Sequence, residues 1–135
     1  MSDAGDGSIL AWMSGNNLYV ASNGKIAPNP NASNMFRRFI NLKAINFGDS
    51  FDTSNVTNMS DMLHDCRSLT SLNLSGFDTS SVTEMRSMFH GCSSLTSLSL
   101  DGFDTANVTD MSCMFHSCSD LTSLNLSGFD ASNAT

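Results

Sequence analysis

The sequence predicts an α/β solenoid built from a 26-residue unit, each unit carrying one short helix and one parallel β-strand. Three observations predict this fold class. Phe-Asp pairs recur at one fixed spacing, at Phe51, Phe77, Phe103 and Phe129. Between them, methionine, cysteine and leucine recur in the same order, and the apolar spacing within each unit changes from helical to strand-like. A fixed period of this length is typical of proteins in which each unit buries its apolar face against its neighbours.

The first half of each unit has the apolar spacing of a short helix. In the unit that starts at Phe77, the apolar positions on this face are Val82, Met85, Met88, Phe89 and Cys92. Ser81 stands three residues before Glu84, which is the spacing of a capping box at a helix N-terminus. Asn107 and Asp110 repeat that spacing one unit later. Gly91 is suited to end the helix in the left-handed conformation.

The second half of each unit has the apolar spacing of a leucine-rich-repeat strand, as in Leu95, Leu98 and Leu100. Stacked copies place a parallel sheet on one side of the fold and helices on the other. Residues between the strand leucines are expected to face away from the core, because side chains alternate along a strand. They form the candidate binding face, which comprises Ser71, Asn73, Ser75, Ser97, Ser99, Asp101, Ser123, Asn125 and Ser127.

Residues 1–31 are predicted to form a lead-in and a β-hairpin that caps the stack. Residues 9–26 alternate apolar and polar side chains, with turn-forming residues at 14–17 and 22–24. The large side chains that are candidates to cover the first unit are Trp12, Leu18 and Tyr19.

Residues 32–135 are predicted to be the leucine-rich-repeat-like solenoid itself. Its first unit, at 32–50, is degenerate, and it aligns with the next unit only if one residue is inserted between Phe47 and Phe51. Complete units start at Phe51, and the last unit stops before its methionine-rich segment. We therefore expect the chain to be a fragment of a longer protein.

Charge and hydropathy exclude two classes of partner. The net charge is -7 and no basic residue follows Arg86, so the C-terminal half is repelled by the phosphates of nucleic acids. No segment approaches the roughly 18 apolar residues that cross a membrane. The first residues also lack the basic and apolar regions of a secretion signal. We therefore predict no nucleic-acid partner and no membrane insertion.

The unit resembles a known family of repeats. The run from Phe77 to Leu100, FDTSSVTEMRSMFHGCSSLTSLSL, is similar to the 26-residue repeat of bacterial surface proteins, which is related to BspA-type leucine-rich repeats. The resemblance covers residues 51–135 closely and 32–50 loosely. It implies a secreted or wall-anchored bacterial protein, extracellular or at the cell surface, that adheres to host or neighbouring cells. It implies no enzyme.

The cysteines are interpreted as structural. Cys66, Cys92 and Cys118 lie on the predicted apolar helix face and are expected to be buried and unpaired. Helices in neighbouring units would lie about 8–10 Å apart, which is too far for a disulfide. Cys113 replaces a polar residue of the other units. It is expected to be exposed and to allow an adventitious dimer of an otherwise monomeric chain.

One histidine and one aspartate also recur in each unit, so that equivalent residues form two columns along the stack. Neither column predicts a metal or another cofactor. The histidines His64, His90 and His116 would be too far apart at helix spacing to share one ion. The aspartates each open a turn, where the carboxylate can bond a backbone amide as an Asx turn. Calcium is the alternative for them, but each unit offers a single carboxylate and calcium needs six to eight oxygens. The aspartates are Asp52, Asp78, Asp104 and Asp130.

The function predicted from these observations is that of a non-enzymatic repeat module of a bacterial cell-surface protein. It would mediate adhesion, or protein or glycan interaction, through the candidate binding face, with a surface protein or glycan of a host or neighbouring cell as the partner. Short hydroxyl and amide side chains spread over many units suit weak multivalent contact. The alternative is a structural stalk or spacer that displays another binding domain. No catalytic triad, carboxylate pair or phosphate loop can be argued from the sequence.

Overall fold

A computed structural model describes residues 10–21 and 25–135 of the chain. Strands β1 and β2 form an antiparallel hairpin, and β2 pairs in parallel with β3. Strands β4 and β5 form a second, parallel sheet. The five strands are β1 (Leu10–Ser14), β2 (Asn17–Ala21), β3 (Ala44–Asn46), β4 (Ser71–Asn73) and β5 (Ser97–Ser99).

The predicted α/β leucine-rich-repeat-like solenoid is wrong, because the described residues contain no helix and their strands form two small sheets. The reason lies in the backbone of the methionine-rich segment, which is the part of each unit that carries Met59 and Met62 or their equivalents. In this segment Asp61 and Asp65 have φ angles of 56° and 60°. Left-handed residues recur at the same two positions of each unit and prevent a right-handed helix from continuing. They are Asn34, Arg38, Asp61, Asp65, Ser87, Gly91, Cys113 and Ser117.

Backbone hydrogen bonds show what replaces the helix. The N–H groups of Asp61 and Leu63 donate to the next unit, to the carbonyl oxygens of Arg86 and Met88, both at 2.9 Å. The intervening N–H of Met62 donates to the carbonyl of Met59, three residues back, at 3.3 Å. Bonds over three residues close tight turns. The apolar spacing that predicted a helix is therefore produced by consecutive turns.

Successive units are hydrogen-bonded directly to one another. Parallel bridges join Asn31 to Asn58, Asn58 to Glu84, and Glu84 to Asp110. Paired chains of this kind lie about 4.8 Å apart. The spacing of about 8–10 Å expected between packed helices is therefore wrong.

The core follows the repeat period, with equivalent apolar side chains buried in successive units. Most of these side chains have no exposed surface in the units that start at Phe51 and Phe77, and burial decreases in the last unit, where Leu126 is 40% exposed. The recurring side chains with no exposed surface are Val56, Val82, Val108, Met59, Met85, Met62, Met88, Leu63, Phe89, Cys66, Cys92, Leu69, Leu95 and Leu74.

A buried threonine column was not anticipated from the sequence. Thr79 is 1% exposed, and its Oγ1 donates to the carbonyl of Asp104 at 3.0 Å and accepts from the N–H of Asp104 at 2.8 Å. Thr105 makes the same two bonds with Asp130. Each buried hydroxyl therefore fixes the turn that opens the next unit.

The hairpin extends the first sheet by two strands. Leu18 and Val20 are buried, and Leu18 stands opposite Ile45 of β3. Trp12, by contrast, is 48% exposed and stacks on Tyr19 with ring centroids 5.3 Å apart. Leu18 thus covers the first unit as predicted, whereas Trp12 does not. The predicted turn at 22–24 lies outside the described residues.

Candidate binding face and groove

The nine residues of the candidate binding face lie on the sheet side of the chain. All are exposed except Ser99, which is half-buried. The pairing of β4 with β5 sets Ser71 beside Ser97 and Asn73 beside Ser99. Residues 123–127 of the last unit belong to no strand, so the face does not continue into that unit as a regular sheet.

A groove of about 630 Å³ opens where the sheet is interrupted between β3 and β4. The chain from Phe47 to Phe51 is one residue longer than the equivalent turn from Leu74 to Phe77. Gly48 sits in this turn with φ 60°, and its N–H donates to Asn46 Oδ1 at 2.9 Å. The groove is lined by polar residues, namely Asn17, Tyr19, Asn46, Asp49, Asn73 and Ser75.

Three buried phenylalanines form the floor of the groove. The ring centroid of Phe47 lies 4.9 Å from those of both Phe51 and Phe77, and Phe51 and Phe77 are 5.5 Å apart. Their rings pack against one another beneath the polar walls. A preformed apolar surface with a few placed polar groups is the usual composition of a ligand site.

A second groove, of about 620 Å³, lies between β5 and residues 123–125. Within the described residues, each of the two large grooves is lined by a single carboxylate, Asp49 or Asp101, and by no histidine or cysteine. These side chains suit hydrogen bonding to a ligand.

The aspartate column forms Asx turns, as predicted. Each carboxylate accepts a hydrogen bond from the backbone N–H two residues later, for example Asp78 from Ser80 at 3.0 Å. The bonds from Ser54, together with one from Lys25, lower the pKa of Asp52 to about 2. The other turns of the column open at Asp52, Asp104 and Asp130.

The cysteine column is only partly as predicted. Cys66 and Cys92 are buried, and their thiols donate to the carbonyls of Phe36 and Leu63 at 3.1 and 3.2 Å. Cys118 is half-buried, because no unit among the described residues covers it. Cys113 is exposed, as expected, and all four thiols are free.

The rate of thiol labelling should follow the exposure of the four cysteines. Burial raises the pKa of the Cys66 thiol to about 11 and also raises the pKa of Cys92 and Cys118. The thiolate is the reactive form. We expect an excess of a disulfide reagent to label Cys113 first, Cys118 next, and Cys66 and Cys92 only on unfolding. Labelling of all four thiols at one rate in the native protein would contradict the burial.

The histidine rings stack in a column. They lie closer together than the helix spacing expected from the sequence would allow. The ring centroids of His64 and His90 are 4.6 Å apart, and those of His90 and His116 are 4.8 Å apart. Asp61 Oδ1 hydrogen-bonds with His64 Nδ1 at one end of the column. In the part of the chain that the structure describes, no group of three or more histidine, cysteine or acidic side chains is placed to hold a metal ion.

The histidine column is expected to make the folded chain less stable in mild acid. The pKa of His90 is lowered because its ring is partly removed from water and because His64 and His116 lie beside it. The unfolded chain then binds a proton that the folded chain does not, so stability falls as the pH drops from about 7 to about 5. Urea denaturation across this range should show a smaller fall for His90→Gln than for the parent chain. Equal falls in both would exclude His90 as the cause.

These features define a class of protein with stacked 26-residue units, a continuous apolar core and polar grooves on one side. A family model described as "Mycoplasma protein of unknown function, DUF285" matches residues 30–135, which is more than half of the chain. The chain belongs to this family. No curated protein and no solved structure matches it.

The family match corrects the resemblance inferred from the sequence. The chain matches this family, and not the bacterial surface-protein repeat or the BspA-type leucine-rich repeats. Of the described residues, none lies in a helix long and apolar enough to cross a membrane.

Proposed function

We propose that the chain is a non-enzymatic recognition module of the cell surface, which binds a protein or glycan of a host or neighbouring cell. The observation that carries this proposal is the groove between β3 and β4, with its floor of packed phenylalanine rings and its polar walls. It is contiguous with the exposed side chains of Asn73 and Ser75 on the candidate binding face.

The groove walls have the chemistry that sugar hydroxyls and peptide groups require. Asn46 Oδ1 accepts from Gly48 N–H, and Asn73 Oδ1 accepts from Ser75 N–H, both at 2.9 Å. These bonds fix the two amides, so that each presents its Nδ2 donor to a ligand. Asp49 adds a carboxylate acceptor on the same rim. Donors and acceptors held in place over an apolar floor favour a polar, neutral ligand.

A structural spacer is the second candidate function. It is favoured by the continuous core and by the hydrogen bonds that join each unit to the next. Among the described residues, no buried side-chain nitrogen or oxygen lacks a hydrogen-bond partner. A stack with these properties is suited to separating other domains at a fixed distance.

The test is binding of the folded chain, displayed multivalently, to arrays of glycans and extracellular-matrix proteins. The groove variant is Asn73→Lys, and the matched control is Asn55→Lys, which introduces the same charge at an exposed position outside the groove. A second variant changes Ser71, Ser97 and Ser123 to lysine across the face.

A signal lost in Asn73→Lys and retained in Asn55→Lys would support the groove. A signal lost only in the triple variant would move the site to the open face. A signal unchanged in every variant would overturn both locations. No signal from a folded chain would favour the spacer.

A further inference from the structure

An aromatic pair stands beside the groove, on the two strands of the hairpin. Trp12 of β1 and Tyr19 of β2 are cross-strand partners, and their rings stack with an interplanar angle of 12°. Trp12 is 48% exposed, and Tyr19 lines the groove. Aromatic side chains are enriched at binding surfaces relative to the rest of a protein's exterior. The pair therefore extends the groove from the repeat units onto the hairpin.

The strand register places this pair in one row with the amides of the groove. Tyr19 stands beside Asn46 of β3, and Asn73 is the equivalent of Asn46 in the next unit. Directly paired residues point to the same side of a sheet. Tyr19 thus has Trp12 on one side and Asn46 on the other. Because one face of its ring packs on Trp12, Tyr19 turns the other face towards the groove.

The floor of the groove offers little to an apolar peptide side chain. Phe47, Phe51 and Phe77 are only 7%, 9% and 5% exposed, so they leave no deep apolar pocket. The anchor residues of a protein partner gain most of their affinity by filling such pockets. The accessible aromatic surface lies instead on the wall, as the flat face of the Tyr19 ring.

A flat aromatic face beside fixed polar groups suits a sugar. One face of a pyranose ring presents C–H groups, whose partial positive charge is attracted to the negative face of an aromatic ring. Its hydroxyl groups both donate and accept hydrogen bonds. The amides of Asn46 and Asn73 supply donors, and the carboxylate of Asp49 supplies an acceptor on the same rim.

The charge and size of the groove narrow the kind of sugar. Among the described residues, Asp49 is the only charged side chain that lines it, with no lysine, arginine or histidine. A sialylated or sulfated sugar would bring a second negative charge with no cation to pair it, and like charges oppose binding. The volume of about 630 Å³ lies in the usual range of small-molecule sites, about 300–1,000 Å³. A short neutral oligosaccharide fits both limits.

From these observations we propose that the groove binds a neutral oligosaccharide. One pyranose ring stacks on Tyr19, and its hydroxyl groups bond to Asn46, Asn73 and Asp49. Trp12 packs on the opposite face of the Tyr19 ring. This inference rests on the recognition function proposed for the groove and names the ligand class of that site. Contact through one ring and a few hydroxyl groups is weak for each site, so firm attachment needs several copies of the chain.

The test uses the full chain, displayed multivalently, on polymer conjugates of neutral and sialylated sugars. The neutral probes are lactose, maltotriose and diacetylchitobiose, and sialyllactose is the anionic counterpart of lactose. We expect binding to neutral probes, and weaker binding to sialyllactose than to lactose. Trp12 is the only tryptophan of the sequence, so its fluorescence should change when the free neutral sugar binds. This second measurement needs no substitution.

Tyr19→Leu removes the ring but keeps an apolar side chain against Trp12. The matched control is Phe39→Ala, because Phe39 is also an exposed aromatic residue, at 46%, and does not line the groove. Tyr19→Leu should weaken binding by about tenfold or more, and Phe39→Ala should change it by less than about twofold. Tyr19→Phe keeps the ring and should cost clearly less than Tyr19→Leu. Circular dichroism checks that each variant is folded.

The outcomes separate this inference from the proposed function. Neutral-sugar binding that Tyr19→Leu leaves unchanged, a Trp12 signal that does not respond, or sialyllactose bound as tightly as lactose would overturn the inference. If no neutral sugar binds, but a matrix protein binds and loses its signal in Asn73→Lys, the recognition function survives and the oligosaccharide is wrong. If the folded chain binds neither sugars nor matrix proteins, both proposals fail.

Discussion

Replacing Phe89 with alanine is expected to lower the free energy of unfolding by about 3–5 kcal/mol, the range for truncating a buried aromatic side chain. Phe89 has no exposed surface and lies in the middle of the stack. Its ring stacks on that of Phe115 at 5.6 Å between centroids. A cavity at this position therefore removes contacts from two units at once. Urea denaturation followed by circular dichroism measures the loss.

The matched control is Phe89→Leu, because leucine occupies the equivalent position in the preceding unit as Leu63. A residue that another unit already packs at this site should cost no more than about 1.5 kcal/mol. Similar losses for the alanine and leucine variants would show that the units do not pack equivalently at this position.

Thr79→Val is expected to lower the free energy of unfolding by about 2–4 kcal/mol, although the two side chains have nearly the same shape. Valine can neither donate to the Asp104 carbonyl nor accept from the Asp104 N–H. Both backbone groups would be left unpaired in a part-buried turn. The loss is measured by the same denaturation experiment.

Thr83→Val provides the control for this second substitution. Thr83 is exposed, and its hydroxyl donates to the Thr57 carbonyl at 3.2 Å, where water can replace it. We expect a change within about 0.5 kcal/mol. If the two valine variants lost equal stability, the buried hydroxyl would have no special role in holding the turn.

Much of the core was predictable from the period of the sequence. Val56, Met59 and Met62 recur in each complete unit, and in the units that start at Phe51 and Phe77 these positions are buried because both units contact equivalent neighbours. The hairpin was predictable for a different reason. Alternating side chains and a Gly15-Asn16 turn specify β1 and β2 locally, without reference to the rest of the chain.

The helix could not be excluded from the sequence. Apolar residues three apart occur in a helix and also in consecutive tight turns, so the spacing does not distinguish them. The left-handed positions that decide the matter are occupied by Asp61, Ser87 and Cys113 as well as by glycine. Serine and cysteine give no signal of a left-handed backbone, since such residues adopt it only when the surrounding structure imposes it.

The sequence predicts on which face of the sheet the candidate site lies, but it does not predict the shape of the site. Alternation along the strands placed Ser71 and Asn73 on the outer face, and both are exposed. The groove depends on how the extra residue between Phe47 and Phe51 separates β3 from β4. The sequence reveals the insertion, but the separation arises from three-dimensional packing that the insertion alone does not specify.

The N–H groups of Asp61 and Leu63, and their equivalents, all donate to the following unit, so the peptide groups of this segment have an electrical polarity along the stack. Peptide dipoles aligned head to tail add together, as they do in an α-helix, and leave opposite partial charges at the two ends. The N–H side of each such row is then partially positive and its carbonyl side partially negative. The side chains compensate this macrodipole, because Arg37, Arg38 and Lys43 lie in the first unit and no basic residue follows Arg86. The uneven charge of the sequence thus matches the direction in which its units are stacked.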